Sequence, residues 1–569
     1  MLNHILEWSL RNRFLVLVFA LLTVGIGGYS LQRLPIDALP DITTNQVQIL
    51  TRTAPLGPVE VERYITFPVE AAMSGLPDLE QIRSVSRFGL SAVTVVFTDH
   101  VPIYLARQMV AERLAQAKEQ IPAGFGTPEL GPVTTGLGEI FMFAVNGPGY
   151  TLMQLREILD WQIAYRLRAV PGVIEVAPNG GYAKQYHVVI DPTKLVSYRL
   201  PIGRVFEALE KNNVVAGGGY IEHSGEAYLI RGEGLVENTT DIADIIVTTG
   251  PDRVPIRVRE LGTVTVGALP RIGAASMDGE GEAVVAMTLM LRGENARVVA
   301  ERVKEEVTQI QASLPPGVTI EPFYDRSDLV NRVIHTVTKN LIEGALLVIA
   351  VLLLLLGNLR GGLIVALAIP LSMLLAFTAM VSTGLSGNLM SLGAIDFGLI
   401  VDGSVVMIEN IVRHMAERRE PQRAAARLSD EEMSRIVLEA GQEVLRPIFF
   451  AVGIIIFVYV PILTLQGVEG KMFHPMALTV VFALAGSLVL SFTLMPVLAS
   501  FFLRTGVRAE ETWLIRHAKR LYRPVLTWVM QRPRLTALTA ALVFVSSIIL
   551  AQFMGSEFVP RLDEGDITV

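Results

Sequence analysis

Seven apolar runs, each long enough to cross a bilayer as a helix, constrain this chain more than any other feature. They lie at residues 14–31, 341–356, 362–382, 389–411, 447–465, 475–502 and 535–554. A helix rises about 1.5 Å per residue, so roughly 20 apolar residues match the ~30 Å hydrocarbon core. Backbone groups in that core must bond within their own segment, which leaves helices as the structure for such runs. Composition agrees: 51% of residues are hydrophobic, only 18% are charged, and the mean hydropathy is +0.46. Soluble domains lie nearer a quarter charged.

Basic residues orient the spans. Arg11 and Arg13 precede the first run, and no small-residue cleavage site follows it, so it reads as an uncleaved anchor with a cytoplasmic N-terminus. Residues 412–446 carry Arg413, Arg418, Arg419, Arg423, Arg427, Arg435 and Arg446. Residues 503–534 carry Arg504, Arg508, Arg516, Lys519, Arg520, Arg523, Arg532 and Arg534. By contrast, 383–388 has no basic residue and 466–474 has only Lys471. Both basic loops are therefore expected in the cytoplasm, with 32–340 and the start of a second region at 555–569 outside it. Two interfacial helices are expected: one in residues 1–13, and one in 503–534, where Trp513, Leu514, His517, Leu521 and Trp528 recur at helical spacing.

Residues 32–340 alternate strand and helix patterns. A strand at 47–52, a helix at 58–74, strands at 82–87 and 90–97, a helix at 102–119 and a strand at 139–146 give the order β-α-β-β-α-β. That order defines the ferredoxin-like unit. A second copy is expected from the helix at Thr151, with strands at 173–178 and 185–190 and a helix at 201–211. Gly217 to Arg231 reads as a protruding hairpin, and a helix at 295–313 with a strand at 319–324 closes the region. The expected fold class is an α-helical polytopic membrane protein with a large α/β periplasmic region of ferredoxin-like subdomains.

The chemistry is concentrated in the span at 389–411, which holds Asp396, Asp402 and Glu409. A carboxylate at mid-bilayer costs at least a few kcal/mol, so such residues are rare and mark ion or proton pathways. Asp402 lies near the middle of its span, and Glu409 follows seven residues later, about two turns on and on nearly the same face. In a continuous helix Asp396 is turned away from that face. The alternative for each is a polar contact between helices. Met390 and Met407 flank the acids as candidate transit positions for a metal, against the commoner role of filling core space. The eight histidines show no metal-ligand spacing, and with no cysteine there is neither a disulfide nor a thiolate site. No cofactor motif is present, and a net charge of −7 gives no electrostatic reason for nucleic-acid binding.

Several motifs give the chain a family likeness. They are Leu34-Pro35-Ile36-Asp37-Ala38-Leu39-Pro40-Asp41, Gly136-Leu137-Gly138-Glu139-Ile140, Tyr324-Asp325-Arg326, Asn388 to Gly393, Gly467 to Phe473, and Glu557-Phe558-Val559-Pro560. With the string from Asp396 through Asp402-Gly403 to Glu409-Asn410, the chain resembles the heavy-metal efflux branch of the resistance-nodulation-division transporters, in particular the cobalt–zinc–cadmium type. Gly403 stands where drug-exporting relatives carry a second Asp, and Ile400 stands where copper and silver relatives carry a Met. The resemblance implies a proton-driven antiporter of divalent zinc, cobalt, cadmium or nickel rather than an enzyme, with Asp402, Asp396 and Glu409 as the proton relay. It further implies an inner-membrane homotrimer working with a periplasmic adaptor and an outer-membrane channel. The hairpin at 217–231 is the candidate for reaching a neighbouring subunit. Such pumps have about twelve spans in two repeats, so the chain is expected to be the first half-repeat of a longer pump. Copper or silver efflux and drug export are the competing transport readings. A non-transporting membrane sensor is the rival from another class, but it would not need carboxylates in mid-bilayer.

Overall fold

A computed structural model describes residues 2–37, 40–53, 55–250, 253–271, 273–356, 358–393, 396–417, 429–503 and 513–553. It divides into two compact units.

In the first unit, helix α1 (Leu2–Arg11) precedes the span α2 (Arg13–Arg33), and the short strand β1 (Ile36–Asp37) follows. Then comes a four-stranded sheet of β2 (Asn45–Thr53), β3 (Leu79–Arg87), β4 (Leu90–Phe97) and β5 (Gly126–Leu130) in the order β3-β4-β2-β5. All three pairings are antiparallel. Helices α3 (Pro58–Val61) and α4 (Phe67–Met73), joined by a π turn at Glu62–Thr66, and α5 (Ile103–Gln120) pack on one face. Val47, Ile49, Val93, Val95 and Phe97 alternate inward and meet Ile65, Val69, Ala106 and Val110. This is the ferredoxin-like order, with one correction. Its last strand is β5, not 139–146. β5 pairs only with β2 and contains Pro128, which a sheet tolerates at an edge. Short and proline-bearing, it gives no alternating apolar signal.

In the second unit, β6 (Glu139–Asn146) is followed by α6 (Leu152–Ile158) and α7 (Ala164–Leu167), joined by a π turn at Leu159–Ile163, and by β7 (Val173–Asn179). Thr151 and Gln154 form the capping box that starts α6. The next strands leave this sheet. β8 (Lys184–Ile190), α8 (Pro192–Tyr198), α9 (Ile202–Lys211), the hairpin β9 (Val215–His223)–β10 (Glu226–Glu233), α10 (Thr239–Asp244), β11 (Ile246–Thr249), β12 (Pro255–Arg257), α11 (Val258–Leu261) and β13 (Gly262–Ala268) form an insertion. Its small core holds Val205, Ala208, Val247, Val258 and Leu261. After β14 (Ala275–Ser276), the interrupted sheet resumes with β15 (Glu282–Met290), α12 (Ala296–Gln311) and β16 (Thr319–Asp325). β15 joins β6, β7 and β14, and β6 joins β16. The expected second copy therefore exists, but 185–190 and 201–211 belong to the insertion and not to its sheet.

The membrane helices of the first unit are α2, α13 (Arg326–Leu356), α14 (Leu359–Ser382), α16 (Phe397–Glu417), α17 (Asp430–Val458), α18 (Gly467–Phe492) and α21 (Pro533–Ala551). Between them lie β17 (Gly387–Asn388), α15 (Leu389–Gly393), α19 (Leu494–Phe502) and α20 (Trp513–Gln531). Three boundaries differ from the hydropathy pattern. α13 starts about fifteen residues before the apolar run at 341. α17 starts at a Ser429–Glu432 capping box, inside the segment read as a loop. The run at 475–502 is two helices broken at Thr493. Residues 418–428, 504–512 and 554–569, with the motif at 557–560, lie outside the described residues.

A glycine lets two spans approach closely. A Cβ on Gly27 would fall 2.5 Å from Leu374 Cβ, so α2 and α14 can touch only there without a side chain. Three of the motifs converge at one end of the bundle. β1 pairs in parallel with β17, joining Ile36 to Gly387 and Asp37 to Asn388, and Arg326 Nη2 donates to Asp37 Oδ1 at 2.9 Å. Lys471 donates to Thr43 O at 2.9 Å and pairs with Asp99 at 2.6 Å, which fastens the start of α18 to the first sheet.

Candidate functional site in the membrane helices

α16 begins where the Asp396 carboxylate accepts from Gly398 N at 2.8 Å. Asp396 therefore caps the start of α16 at Phe397 rather than lying within the helix. One face of α16 is closed by α17 and α18. Ser404 and Ser491 hydroxyls bond at 2.9 Å, Ser491 donates to Ser487 O at 2.8 Å, and Ser487 donates to Ile400 O. Gly403 makes this approach possible: a Cβ there would stand 3.0 Å from Ile448 Cγ2 and 3.2 Å from Ser491 Oγ.

The opposite face carries Asp402, Val406 and Glu409, and all three are exposed. Asp402 sits near the middle of the apolar stretch Met390–Glu417. Neither Asp402 nor Glu409 has a hydrogen bond or ion pair among the described residues. Carboxylates in the apolar layer, which Asp402 and Glu409 are without a partner among the described residues, are costly and mark ion or proton pathways.

One turn beyond Glu409 lies a cluster that sequence reading missed. The carboxylate of Glu443 on α17 accepts from Asn410 Nδ2 at 3.1 Å and Arg413 Nη2 at 2.9 Å, and bonds His414 Nε2 at 2.8 Å. Buried Asn410 also donates to Ala440 O at 2.7 Å. The three α16 residues share a face by their i, i+3, i+4 spacing, a signal legible in sequence, but the acid they meet is some thirty residues away.

The methionines separate. Met407 is fully buried, near Leu6 and Gly441, while Met390 is half-buried on α15. Met407 lies ten residues into α16, roughly 15 Å along its axis from Phe397, whereas Met390 lies on α15. Among the described residues no group of three or more His, Asp or Glu side chains could hold a metal ion.

The profile of the AcrB/AcrD/AcrF family matches residues 5–569. The chain belongs to this family. Within it, several similar proteins are named for cation efflux or metal resistance. Protein HelA of Legionella pneumophila is 48% identical over 576 residues, covering 100% of this chain and 54% of HelA. The cobalt-zinc-cadmium resistance protein CzcA of Cupriavidus metallidurans is 46% identical, again over 100% of this chain and 54% of CzcA. A crystal structure of a heavy metal efflux pump superposes with a TM-score of 0.84 at 36% identity, covering 98% of this chain and 53% of the pump. The chain thus spans about half the length of these relatives, in keeping with a single half-repeat.

Proposed function

We propose that this chain forms half of an inner-membrane pump that exports divalent zinc, cobalt, cadmium or nickel in exchange for protons. The observation that carries this reading is the line of acids on α16. Asp402 and Glu409 stand on one uncovered face in the apolar layer, and Asp396 lies at its entrance. Asp402 is the proposed central proton carrier, and Asp396 and Glu409 pass the proton on either side of it. Carboxylates set in the apolar layer suit this task because such positions are rare and mark ion or proton pathways. Met390 and Met407 are secondary candidates for metal transit.

Similarity supports the choice of divalent metals. Relatives named for cobalt-zinc-cadmium, nickel-cobalt-cadmium, and nickel and cobalt resistance are 46%, 41% and 41% identical to this chain. We further propose a homotrimer that works with a periplasmic adaptor and an outer-membrane channel. The β9–β10 hairpin supports the trimer: among the described residues it pairs with no other strand, and Tyr220, Ile221, Tyr228 and Leu229 on it are exposed. In a metal-sensitive host, the full-length protein should raise tolerance to zinc, cobalt, cadmium or nickel. Protection against copper or silver alone would overturn the divalent assignment.

A further inference from the structure

A small cleft opens beside the start of β2, away from the acids of α16. Its polar lining comes from Thr44, Gln46 on β2, Arg107 on α5, Thr134 after β5 and Arg292 after β15, all within the first compact unit. The lining holds two guanidinium groups and no acid.

Each of these arginines is anchored through one nitrogen to a neutral oxygen. Arg107 Nη1 donates to Gly131 O at 2.7 Å, and Arg292 Nη1 donates to Asn45 Oδ1 at 3.1 Å. Asn45 is fixed in turn by donating to Val101 O, and the backbone N–H of Arg292 donates to Val133 O at 3.0 Å. Among the described residues, the Nε–Nη2 edge of neither arginine has a protein acceptor, and neither side chain has an ion pair. That edge is the one that grips an oxyanion with two parallel hydrogen bonds. Gln46 adds donors. Its Oε1 accepts from Arg83 Nη2 at 3.0 Å, and its amide N–H groups have no acceptor among the described residues. Arg83 has no other partner there, so a third cation stands behind the first two. Burial holds the half-buried Arg107 guanidinium below the usual arginine range, with Tyr104 opposing the shift. An anion brought against such a cation offsets the cost of its burial.

We infer that this cleft binds a phosphate group, gripped by the Nε–Nη2 edges of Arg107 and Arg292 and by the amide of Gln46. A carboxylate has two oxygens, which one guanidinium edge satisfies, whereas a phosphate has enough oxygens for both edges and the amide. The cleft is small and open to solvent, so it takes the oxyanion and leaves its carrier outside. Two carriers fit that description. Lys471, near the start of α18, donates to the carbonyl of Thr43, so the cleft lies beside the end of a membrane span, where lipid headgroups gather. Free inorganic phosphate is the other source. Neither depends on whether Asp402 carries a proton.

The test is equilibrium binding of radiolabelled inorganic phosphate to the delipidated full-length protein in detergent, at constant ionic strength set with chloride. Saturable binding is expected. R107K/R292K keeps both charges but loses both forks, and should weaken binding about tenfold or more, since each hydrogen bond to a charged group is worth about that factor. A second arm uses native mass spectrometry to compare retained phosphatidylglycerol with galactosyl diacylglycerol, which has no phosphate. A preference for phosphatidylglycerol that the variant loses assigns the phosphate to a headgroup; saturable binding in the first arm alone assigns it to the free ion. No saturable binding and no lipid preference in the wild type, or equal values in wild type and variant, would overturn the inference. Should the double variant not fold, R292K alone is expected to weaken binding about fivefold, and no change there would equally overturn it.

Discussion

Gly403→Ala is a one-carbon change whose effect can be worked from the packing around α16. The new methyl would stand 3.0 Å from Ile448 Cγ2 and 3.2 Å from Ser491 Oγ, several tenths of an ångström inside ordinary contact. Neither neighbour can yield easily. Ile448 is β-branched and stiff at χ1. Ser491 is held by its bonds to Ser404 and Ser487. Alanine gains up to about 1 kcal/mol in helix propensity over glycine, whereas overpacking a filled core costs about 1–3 kcal/mol. The clash should win, with a net loss of about 1–2 kcal/mol. Thermal unfolding of the purified full-length protein should show a Tm lower by several degrees. Adding Ser491→Gly, which removes the hydroxymethyl group, should recover part of that loss and so give a favourable coupling in a double-mutant cycle. A Tm that is unchanged or raised in Gly403→Ala would refute the close contact of α16 with α17 and α18. Gly403→Asp should destabilise further, because it sets a carboxylate against the same two neighbours.

Two further outcomes test the architecture. A single cysteine at Asn179, in a chain that has none of its own, should react with an impermeant thiol reagent in intact spheroplasts; labelling only after lysis would reverse the topology. Leu229→Asp on the exposed β10 strand should lower the trimer fraction on size-exclusion with light scattering while leaving the monomer folded, and an unchanged trimer would remove the hairpin from the subunit contact.

The membrane helices were legible because an apolar run long enough to span a bilayer has few other fates. Their ends were not. α17 extends back to Ser429 through Asp430, Glu431 and Glu432, a charged first turn that hydropathy scores as loop although the capping box marks it. The first ferredoxin-like sheet was readable apart from β5, whose Pro128 and short length hide it. The second was misread because its strands β7 and β15 are about a hundred residues apart, and no local pattern reveals that an insertion interrupts a sheet. At the site, the rarity of mid-span acids singled out Asp402 and Glu409. The capping role of Asp396 needed the start of α16 at Phe397, and the Glu443 cluster needed the contact between α16 and α17.

Proton-coupled metal flux through Asp402→Asn is the measurement closest to the central claim. Asparagine keeps the size of the side chain and much of its hydrogen bonding, but it cannot take up and release a proton near neutral pH. If Asp402 were only a polar contact, the substitution would cost about 1 kcal/mol and leave transport nearly intact. The full-length variant, checked for normal trimer content and reconstituted in proteoliposomes under an imposed pH gradient, is expected to lose zinc flux and the accompanying proton movement together. Asp402→Glu, which still titrates but shifts the carboxylate by about one bond, should retain partial flux. Wild-type flux in the Asn variant would contradict the account, because the proton would then cross without Asp402.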